Sequence, residues 1–281
     1  MIVFLNGKFV SEADAVVSLN DRGFLLGDGL FETVRVANGK PFRLAQHLER
    51  LTRGAEFLKI PLPFSPRKIQ EFAEQLVRQN ELVEAALRVT LTRGAGARGY
   101  SVRNSGPATL AMTLAQLPPV DPDEPLQWSL VTSSFRIPAG DALAAFKTTS
   151  KALNVLARAE AEEKGADEAL LLNTNGEVAE TAGGNVFWIY QDQICTVPTG
   201  RGVLPGITRA VVLEICQSLG LETNKRVIKP EHLRNAAGIF VTQSALGIIP
   251  VAAFDGLPVP PSPLVDQLAG AYDELLARES A

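Results

Sequence analysis

A short segment in the middle of the chain, residues 117–125, constrains the fold more than any other part of the sequence. It holds four prolines and three acidic residues. Proline lacks a backbone donor and restricts the residue before it, so this segment favours neither a helix nor a strand. We therefore predict a smaller N-terminal α/β domain over residues 1–117, a linker over residues 118–125 and a larger C-terminal domain over residues 126–281.

Short apolar runs bounded by turn residues predict most of the secondary structure. Strands are predicted at residues 1–5, 87–93, 108–114, 126–132, 168–173, 177–181, 185–190, 194–197, 239–242 and 248–252, and near Val227. Helices are predicted at residues 43–59 and 150–164, after Ser65, after Gly206 and from Pro263. The pair Asn175-Gly176 favours a type I′ hairpin turn. Many hairpins with few strand–helix–strand alternations indicate an α+β fold.

The composition excludes several classes of function. A net charge of −4 gives no reason to expect a nucleic-acid partner. No apolar run reaches membrane-spanning length, and the N-terminus lacks the basic region of a signal peptide. Cys195 and Cys216 are too few for a disulfide framework, and two histidines do not suggest a histidine-rich metal site. These features predict a cytoplasmic globular protein.

Three features of the sequence, taken in chain order, suit one kind of chemistry. Lys147 offers an amine, Glu180 offers a carboxylate, and the turn at residues 204–209 opens an amphipathic helix. A lysine amine can bind the aldehyde of pyridoxal phosphate, a carboxylate can keep its pyridine nitrogen protonated, and a helix N-terminus can bind its phosphate. Taken singly, the turn is typical of an ordinary helix start, and Glu180 of a solvated hairpin end. Only the combination indicates the cofactor.

Five stretches of the chain resemble the motifs of the class IV aminotransferases, the fold-type IV pyridoxal phosphate enzymes. They are residues 28–36 (DGLFETVRV), residues 47–51 (HLERL), Lys147, residues 180–187 (ETAGGNVF) and residues 204–209 (LPGITR). The family includes branched-chain aminotransferases, D-amino acid aminotransferases and aminodeoxychorismate lyases. The resemblance implies an α+β protein with two α/β domains of the D-amino acid aminotransferase-like fold, a cofactor site between them, and a homodimer.

Two lysines compete for the cofactor role. Lys151 begins the string KALN, which superficially matches the lysine motif of the family. Lys147 has a separation from Glu168 similar to the family's usual one, whereas Lys151 would require a deletion inside the predicted helix. We therefore predict that Lys147 is the catalytic residue and that Lys151 is a surface lysine of that helix.

The resemblance assigns the other cofactor contacts residue by residue. In chain order they are Arg50 to the phosphate, Lys147 to the aldehyde, Glu180 to the pyridine nitrogen, Leu204 to the face of the ring, and Ile207, Thr208 and Ser244 to the phosphate. A guanidinium fork suits phosphate oxygens, although an ion pair with a neighbouring glutamate is the more frequent fate of such an arginine. His47, one helical turn from Arg50, is expected to be structural.

The loop at residues 93–101 (RGAGARGYS), followed by residues 104–109 (NSGPAT), resembles the corresponding loop of bacterial aminodeoxychorismate lyases. The D-amino acid aminotransferases usually carry histidine where Tyr100 stands and tyrosine where Phe31 stands. We therefore predict Phe31, Arg98 and Tyr100 as substrate-binding residues, with the loop around Arg98 reaching the site of a partner subunit. The structural alternative is a glycine-rich hairpin with solvent-facing arginines.

These residues predict a lyase that converts 4-amino-4-deoxychorismate to p-aminobenzoate and pyruvate, with the amine of Lys147 moving the substrate proton. The alternative is an aminotransferase acting on D-amino acids, branched-chain amino acids or amines, because both activities use the same cofactor residues. A third hypothesis is a binding protein that has lost catalysis. Against it, Lys147, Glu180 and Arg50 are all present.

Overall fold

A computed structural model describes residues 1–118 and 126–281 of the chain. The predicted linker, apart from its first residue, lies outside these described residues. The chain divides into two compact units. Unit 1 contains Met1–Pro118, Phe146–Lys151 and Leu276–Ala281, and unit 2 contains residues 126–145 and Ala152–Leu275.

The segment Phe146–Lys151 belongs to unit 1, whereas the sequence analysis placed the cofactor lysine in the C-terminal domain. This segment groups with unit 1 because its backbone pairs with strand β3, Gly29–Ala37. The N–H of Phe31 donates to the carbonyl of Lys147 at 2.8 Å, and the N–H of Thr149 donates to the carbonyl of Gly29 at 3.0 Å. The segment therefore extends the sheet of unit 1, and no local pattern in the sequence reveals a pairing over such a distance along the chain.

Unit 1 is built on a six-stranded antiparallel sheet with helices on one face. Its elements are β1 Ile2–Leu5, β2 Lys8–Ser11, α1 Arg22–Leu26, β3 Gly29–Ala37, β4 Lys40–Pro41, α2 Leu44–Leu58, α3 Pro66–Asn80, β5 Ala85–Thr92 and β6 Thr109–Gln116. The strand order is β2-β1-β6-β5-β3-β4. The predicted helices α2 and α3 are confirmed. Ser65 caps α3, its hydroxyl accepting from the N–H of Lys68, and Pro66 occupies the first turn.

The two faces of this sheet differ in character because side chains alternate along each strand. One face buries apolar side chains against α2 and α3, among them Val34, Val36, Leu87, Val89, Leu110 and Met112. The opposite face of β3 presents Phe31, Thr33 and Arg35. Strand β3 was not predicted from the sequence, because Glu32 and Arg35 interrupt its apolar pattern.

Unit 2 is built on a nine-stranded mixed sheet. Its elements are β7 Trp128–Ile137, α4 Ala152–Glu163, β8 Glu168–Asn173, β9 Val178–Thr181, β10 Asn185–Tyr190, β11 Gln193–Thr196, α5 Ile207–Ser218, β12 Thr223–Lys225, α6 Pro230–Leu233, β13 Ile239–Gln243, β14 Gly247–Phe254, β15 Leu257–Pro258 and α7 Pro263–Glu279. The order is β12-β11-β10-β13-β14-β7-β8-β9, with β15 on β14. The last residues of α7 group with unit 1.

Two local predictions in unit 2 are wrong. The strand expected near Val227 ends earlier, at Lys225. The β8–β9 turn is not type I′, which requires a positive φ at both central residues, because only Gly176 of the pair adopts one. The side-chain oxygen of Asn173 instead accepts from the N–H groups of Asn175 and Glu177, at 2.9 and 3.1 Å. This side chain stabilises a different turn from the one that Asn-Gly alone favours.

Candidate active site

Lys147 is held by its backbone while its side chain lies beside an aromatic ring. The pairing of its segment with β3 fixes the main chain, and the hydroxyl of Thr149 adds a hydrogen bond to the carbonyl of Gly27 at 2.8 Å. The Nζ atom of Lys147 lies 4.7 Å from the centroid of the Phe31 ring. Unit 1 therefore brings together a predicted catalytic residue and a predicted substrate-binding residue. Lys151 lies just before α4, not on its surface, and is half-buried.

Arg50 forms a buried ion pair with Glu32 of β3. Its Nε and Nη2 atoms donate to the two carboxylate oxygens of Glu32 at 2.8 and 2.6 Å, and Nδ1 of His47 lies 2.7 Å from Glu32 Oε2. Burial alone would raise the pKa of Glu32, but hydrogen bonds from Arg50 and His47 outweigh it and lower the pKa to about 2. The sequence suggested a neighbouring glutamate on the helix as the partner of Arg50, whereas the partner is Glu32 on β3. The sequence did offer one sign of this pairing, because Glu32 is a single acidic residue among apolar ones.

His47 has the structural role that the sequence suggested. It is buried, and burial lowers its pKa despite the opposing effect of Glu32. The charge of Lys147 also lowers the pKa of His47, so the lysine amine acts electrostatically on this cluster. The cluster thus fixes Arg50 on α2 relative to β3, the strand that carries Phe31.

Arg88 of β5 also contacts the ring of Phe31, and the sequence analysis did not identify it. Its Cζ atom lies 3.9 Å from the ring centroid, a cation–π distance. Partial desolvation lowers the pKa of Arg88, although the residue as a whole is exposed. Because Arg88 pairs with Thr33 across the ladder, it lies on the same face of the sheet as Phe31. The sequence offered one sign of this role, because Arg88 is a charged residue between the apolar residues Leu87 and Val89 of an alternating strand.

Arg98 and Tyr100 have exposed side chains within this chain, and Tyr100 is 88% exposed. The backbone of their loop is nevertheless anchored. The buried guanidinium of Arg22 donates to the carbonyls of Gly99 and Ser101 at 3.0 and 3.2 Å. Asp28 in turn accepts from Arg22 at 2.8 Å. The loop is therefore fixed at its base while its predicted substrate-binding side chains face outward.

In unit 2, Glu180 lies beside the turn that opens α5. Its Oε2 atom accepts from the N–H of Leu204 at 2.9 Å. Asn185 donates to the carbonyl of Leu204 at 3.0 Å, so both polar groups of this backbone position are bonded. A side chain at Gly206 would place its Cβ 2.1 Å from Asn185 Oδ1, which explains why glycine stands there. The structure therefore brings Glu180 and Leu204 together.

The start of α5 offers backbone donors to an anion. The N-cap residue Gly206 makes no side-chain capping bond, and the first N–H groups of a helix have no partner within it. Ile207 and Thr208 are the first two helical residues, at the positive end of the helix dipole. Ser244 is half-buried in the turn between β13 and β14. The hydroxyl of Thr242 is buried and has no hydrogen-bond partner among the described residues.

These groups match the chemistry of pyridoxal phosphate. Within unit 1, Lys147 provides an amine and Arg50 a guanidinium. Within unit 2, Glu180 provides a carboxylate, and the start of α5 provides backbone N–H groups. An aldehyde, a pyridine nitrogen and a phosphate require donors and acceptors of these kinds. Across the described ranges, no helix is both long and apolar enough to cross a membrane.

Comparison with known proteins identifies the family. Residues 29–254 match the family model of amino-transferase class IV, and the chain belongs to that family. It is 34% identical over 256 residues to a Methanocaldococcus jannaschii protein assigned as a branched-chain-amino-acid aminotransferase, covering 91% of this chain and 88% of that protein. It is 32% identical over 284 residues to a D-alanine aminotransferase of Staphylococcus aureus, covering 99% of each.

Solved structures confirm the predicted fold class. A branched-chain amino acid aminotransferase of T.th. with pyridoxamine 5'-phosphate superimposes with a TM-score of 0.92 and 29% identity, covering 97% of this chain and 93% of that one. A Legionella pneumophila protein assigned as a 4-amino-4-deoxychorismate lyase superimposes with a TM-score of 0.85 and 27% identity, covering 96% and 97%. The pyridoxamine 5'-phosphate of the first structure agrees with the predicted cofactor.

Proposed function

We propose that the chain is a pyridoxal phosphate-dependent aminotransferase of amino acids. The observation that carries this proposal is the position of Lys147, whose amine lies over the Phe31 ring while its backbone is fixed to β3. The similarity to branched-chain and D-alanine aminotransferases supports amino acids as the substrate class. It also shifts the preference from the lyase, which the loop sequence favoured, to the aminotransferase.

The proposed roles divide between the two units. Lys147 would hold the cofactor through its aldehyde and, once the substrate amine has displaced it, would take a proton from the substrate carbon. Glu180, already bonded to the Leu204 N–H, has a carboxylate that would keep the pyridine nitrogen protonated. The cofactor, when bound, supplies a ring that accepts electrons from the substrate carbon. Leu204 would pack against that ring.

The phosphate contacts are proposed for four residues. Ile207 and Thr208 offer helix N-terminal N–H groups, and Ser244 offers a hydroxyl. Arg50 donates to Glu32 through Nε and Nη2, and we propose that its guanidinium, fixed in this position, contributes its positive charge to the phosphate site.

A lyase acting on 4-amino-4-deoxychorismate is the second candidate. Two observations favour it: the loop sequence at residues 93–101 and the similarity to the Legionella pneumophila protein. Arg98 and Tyr100 are proposed substrate contacts in either activity. Their exposure in the single chain suits a role at a partner subunit's site, so a homodimer is part of this proposal. A cytoplasmic location remains a prediction from the sequence.

One experiment separates the two activities. The holoenzyme is mixed with D-alanine or L-leucine, and cofactor absorbance and keto acid are followed together. An aminotransferase converts its cofactor to the amine form, releases one equivalent of keto acid and then stops until an acceptor keto acid is added. A lyase releases p-aminobenzoate and pyruvate in equal amounts from aminodeoxychorismate without any acceptor. Lyase turnover with no amino-acid half-reaction would contradict the main proposal.

A further inference from the structure

Glu168, the first residue of β8, carries a buried carboxylate that has no part in the proposed mechanism. The residue is 1% exposed. Arg158 of α4 approaches it, with Nη1 3.5 Å from Oε2, but this arginine is half-buried and lies closer to Glu162, at 2.9 Å. Burial therefore dominates and raises the pKa of Glu168. A buried carboxylate without a close counter-ion costs stability, so packing alone does not explain a glutamate at this position.

The carboxylate of Glu168 accepts hydrogen bonds from backbone N–H groups. Its Oε1 atom accepts from the N–H of Ala169 at 2.7 Å. The N–H groups of Ala182 and Gly183 also bond to the carboxylate and lower its pKa against the larger effect of burial. These two residues belong to the turn at residues 182–184, which joins β9 to β10. Glu168 therefore holds this turn through its backbone.

The same turn is enclosed on its other side by Gln243, the last residue of β13. A side chain at Gly183 would place its Cβ 2.6 Å from Nε2 of Gln243 and 3.3 Å from Oε2 of Glu168. Asn154 of α4 donates to the carbonyl of Ala182 at 2.8 Å. The position of the turn therefore depends on Glu168 on one side and on Gln243 on the other.

Both ends of the turn carry groups of the candidate site. Glu180 lies two positions before the turn, and Asn185 follows it directly. Glu180 accepts from the N–H of Leu204 at 2.9 Å, and Asn185 donates to the carbonyl of Leu204 at 3.0 Å. A shift of the turn would therefore displace both side chains that hold Leu204. One of them is the carboxylate proposed for the pyridine nitrogen.

We infer that Glu168 is a positioning residue, which holds the turn at residues 182–184 and thereby fixes the Glu180 carboxylate where it meets the pyridine nitrogen of the cofactor. This inference rests on the proposed function, in which Glu180 has that role. Glu168 would act through the turn, not by contact with the cofactor. The alternative is a structural role, in which Glu168 stabilises β8 and the turn without any effect on Glu180.

The variant Glu168→Gln distinguishes these two roles. Its amide resembles the neutral carboxyl group that burial favours, so the stability of the protein should not fall. The NH₂ group of the amide is a donor and cannot accept from the backbone N–H groups of the turn. A positioning role therefore predicts a change at Glu180 without a loss of stability, whereas a structural role predicts the reverse.

The test compares the equilibrium binding of two cofactors to the full-length apoprotein. The first is pyridoxal phosphate, and the second is its deaza analogue, in which a C–H group replaces the ring nitrogen. Wild type is expected to bind pyridoxal phosphate more tightly. In Glu168→Gln the ratio of the two affinities should fall about 3- to 10-fold, with the midpoint of urea unfolding unchanged or higher. Glu162→Gln removes the other carboxylate bonded to Arg158 and should behave like wild type.

A double-variant cycle shows whether Glu168 acts through Glu180. Glu180→Gln alone should also lower the ratio of the two affinities. Adding Glu168→Gln to it should lower the ratio no further, because the two residues serve one interaction. If Glu168→Gln does not fold, Glu168→Asp takes its place. The aspartate carboxylate is one methylene shorter, cannot reach the turn in the same way, and should also lower the ratio.

Three results would overturn the inference. They are an unchanged ratio in Glu168→Gln, a further fall when it is added to Glu180→Gln, and a lower unfolding midpoint with the ratio intact. Failure of the proposed function would appear in the wild type itself. A wild type that shows no preference for the ring nitrogen would contradict both proposals. A wild type that keeps this preference but releases no keto acid from any amino donor would contradict the aminotransferase and leave the role of Glu168 intact.

Discussion

The two faces of β3 carry arginine contacts of opposite kinds. Toward α2, Glu32 neutralises Arg50 with two hydrogen bonds, and the group is buried with His47. On the other face, Phe31 supports Arg88 and the Lys147 amine, and its ring provides no negative charge. Because side chains alternate along a strand, one residue step separates the Glu32 charge cluster from the aromatic ring that Arg88 and Lys147 contact. The first face should govern stability and the second should govern chemistry.

The largest effect is expected from removing the amine on the Phe31 face. Lys147→Ala should lower the rate of the amino-acid half-reaction at least about 100-fold, because the general base is lost. Lys151→Ala, four positions later, should retain the wild-type rate. Stopped-flow absorbance of the cofactor measures both. Equal losses in the two variants, or a loss confined to Lys151→Ala, would refute the assignment of the lysine.

The next largest effect, a loss of stability, is expected from Glu32 on the face of β3 that packs against α2. Glu32→Gln leaves the Arg50 charge buried without its counter-ion, so the free energy of unfolding should fall by about 3–5 kcal/mol. Glu84→Gln removes the partner of Arg35 at a more exposed pair and should cost less than about 1 kcal/mol. Urea unfolding followed by fluorescence gives both values. A small loss in Glu32→Gln would show that the cluster is not the stabilising face.

The same carboxylate should make stability depend on pH. The pKa of Glu32 is about 2 in the folded protein, below its ordinary value of 4.5. A carboxyl group of this kind stabilises the fold above its ordinary pKa, and that contribution disappears as the pH falls toward the folded value. The difference in unfolding free energy between wild type and Glu32→Gln should therefore shrink between pH 4.5 and pH 2. A constant difference over that range would contradict the lowered pKa.

The smallest effect on stability is expected from Arg88, on the Phe31 face of the sheet. Arg88 has no ion pair within the described parts of the chain, so Arg88→Met should change the free energy of unfolding by less than about 1 kcal/mol. The two faces of the sheet are best compared by unfolding the Arg88→Met and Glu32→Gln variants under identical conditions. A large loss in Arg88→Met would mean that this guanidinium is structural, like Arg50.

The sequence predicted those parts of the molecule that depend on local pattern. The helix α2 follows from its apolar spacing, and the start of α3 follows from Ser65-Pro66. The turn before α5 was recognised from its motif, and its geometry explains Gly206 through contact with Asn185. Motif order also identified the family, because several short matches in one order are more specific than any one of them.

The features that the sequence did not predict depend on contacts between distant residues. The pairing of Lys147 with Phe31, and of Arg50 with Glu32, joins positions whose local context gives no sign of the partner. Arg88 was overlooked for the same reason, since a lone arginine in a strand is usually solvated. The Asn173 turn shows a related effect, in which one side chain overrides the preference of the dipeptide after it.

The central claim is that Lys147, on the Phe31 face of β3, carries the cofactor. Reduction of the holoenzyme with borohydride fixes the bond between the lysine amine and the cofactor aldehyde, and peptide mass spectrometry then identifies the modified residue. The expected result is a single pyridoxyl group on Lys147. Modification of Lys151, or a protein that binds pyridoxal phosphate without forming any reducible bond, would contradict it.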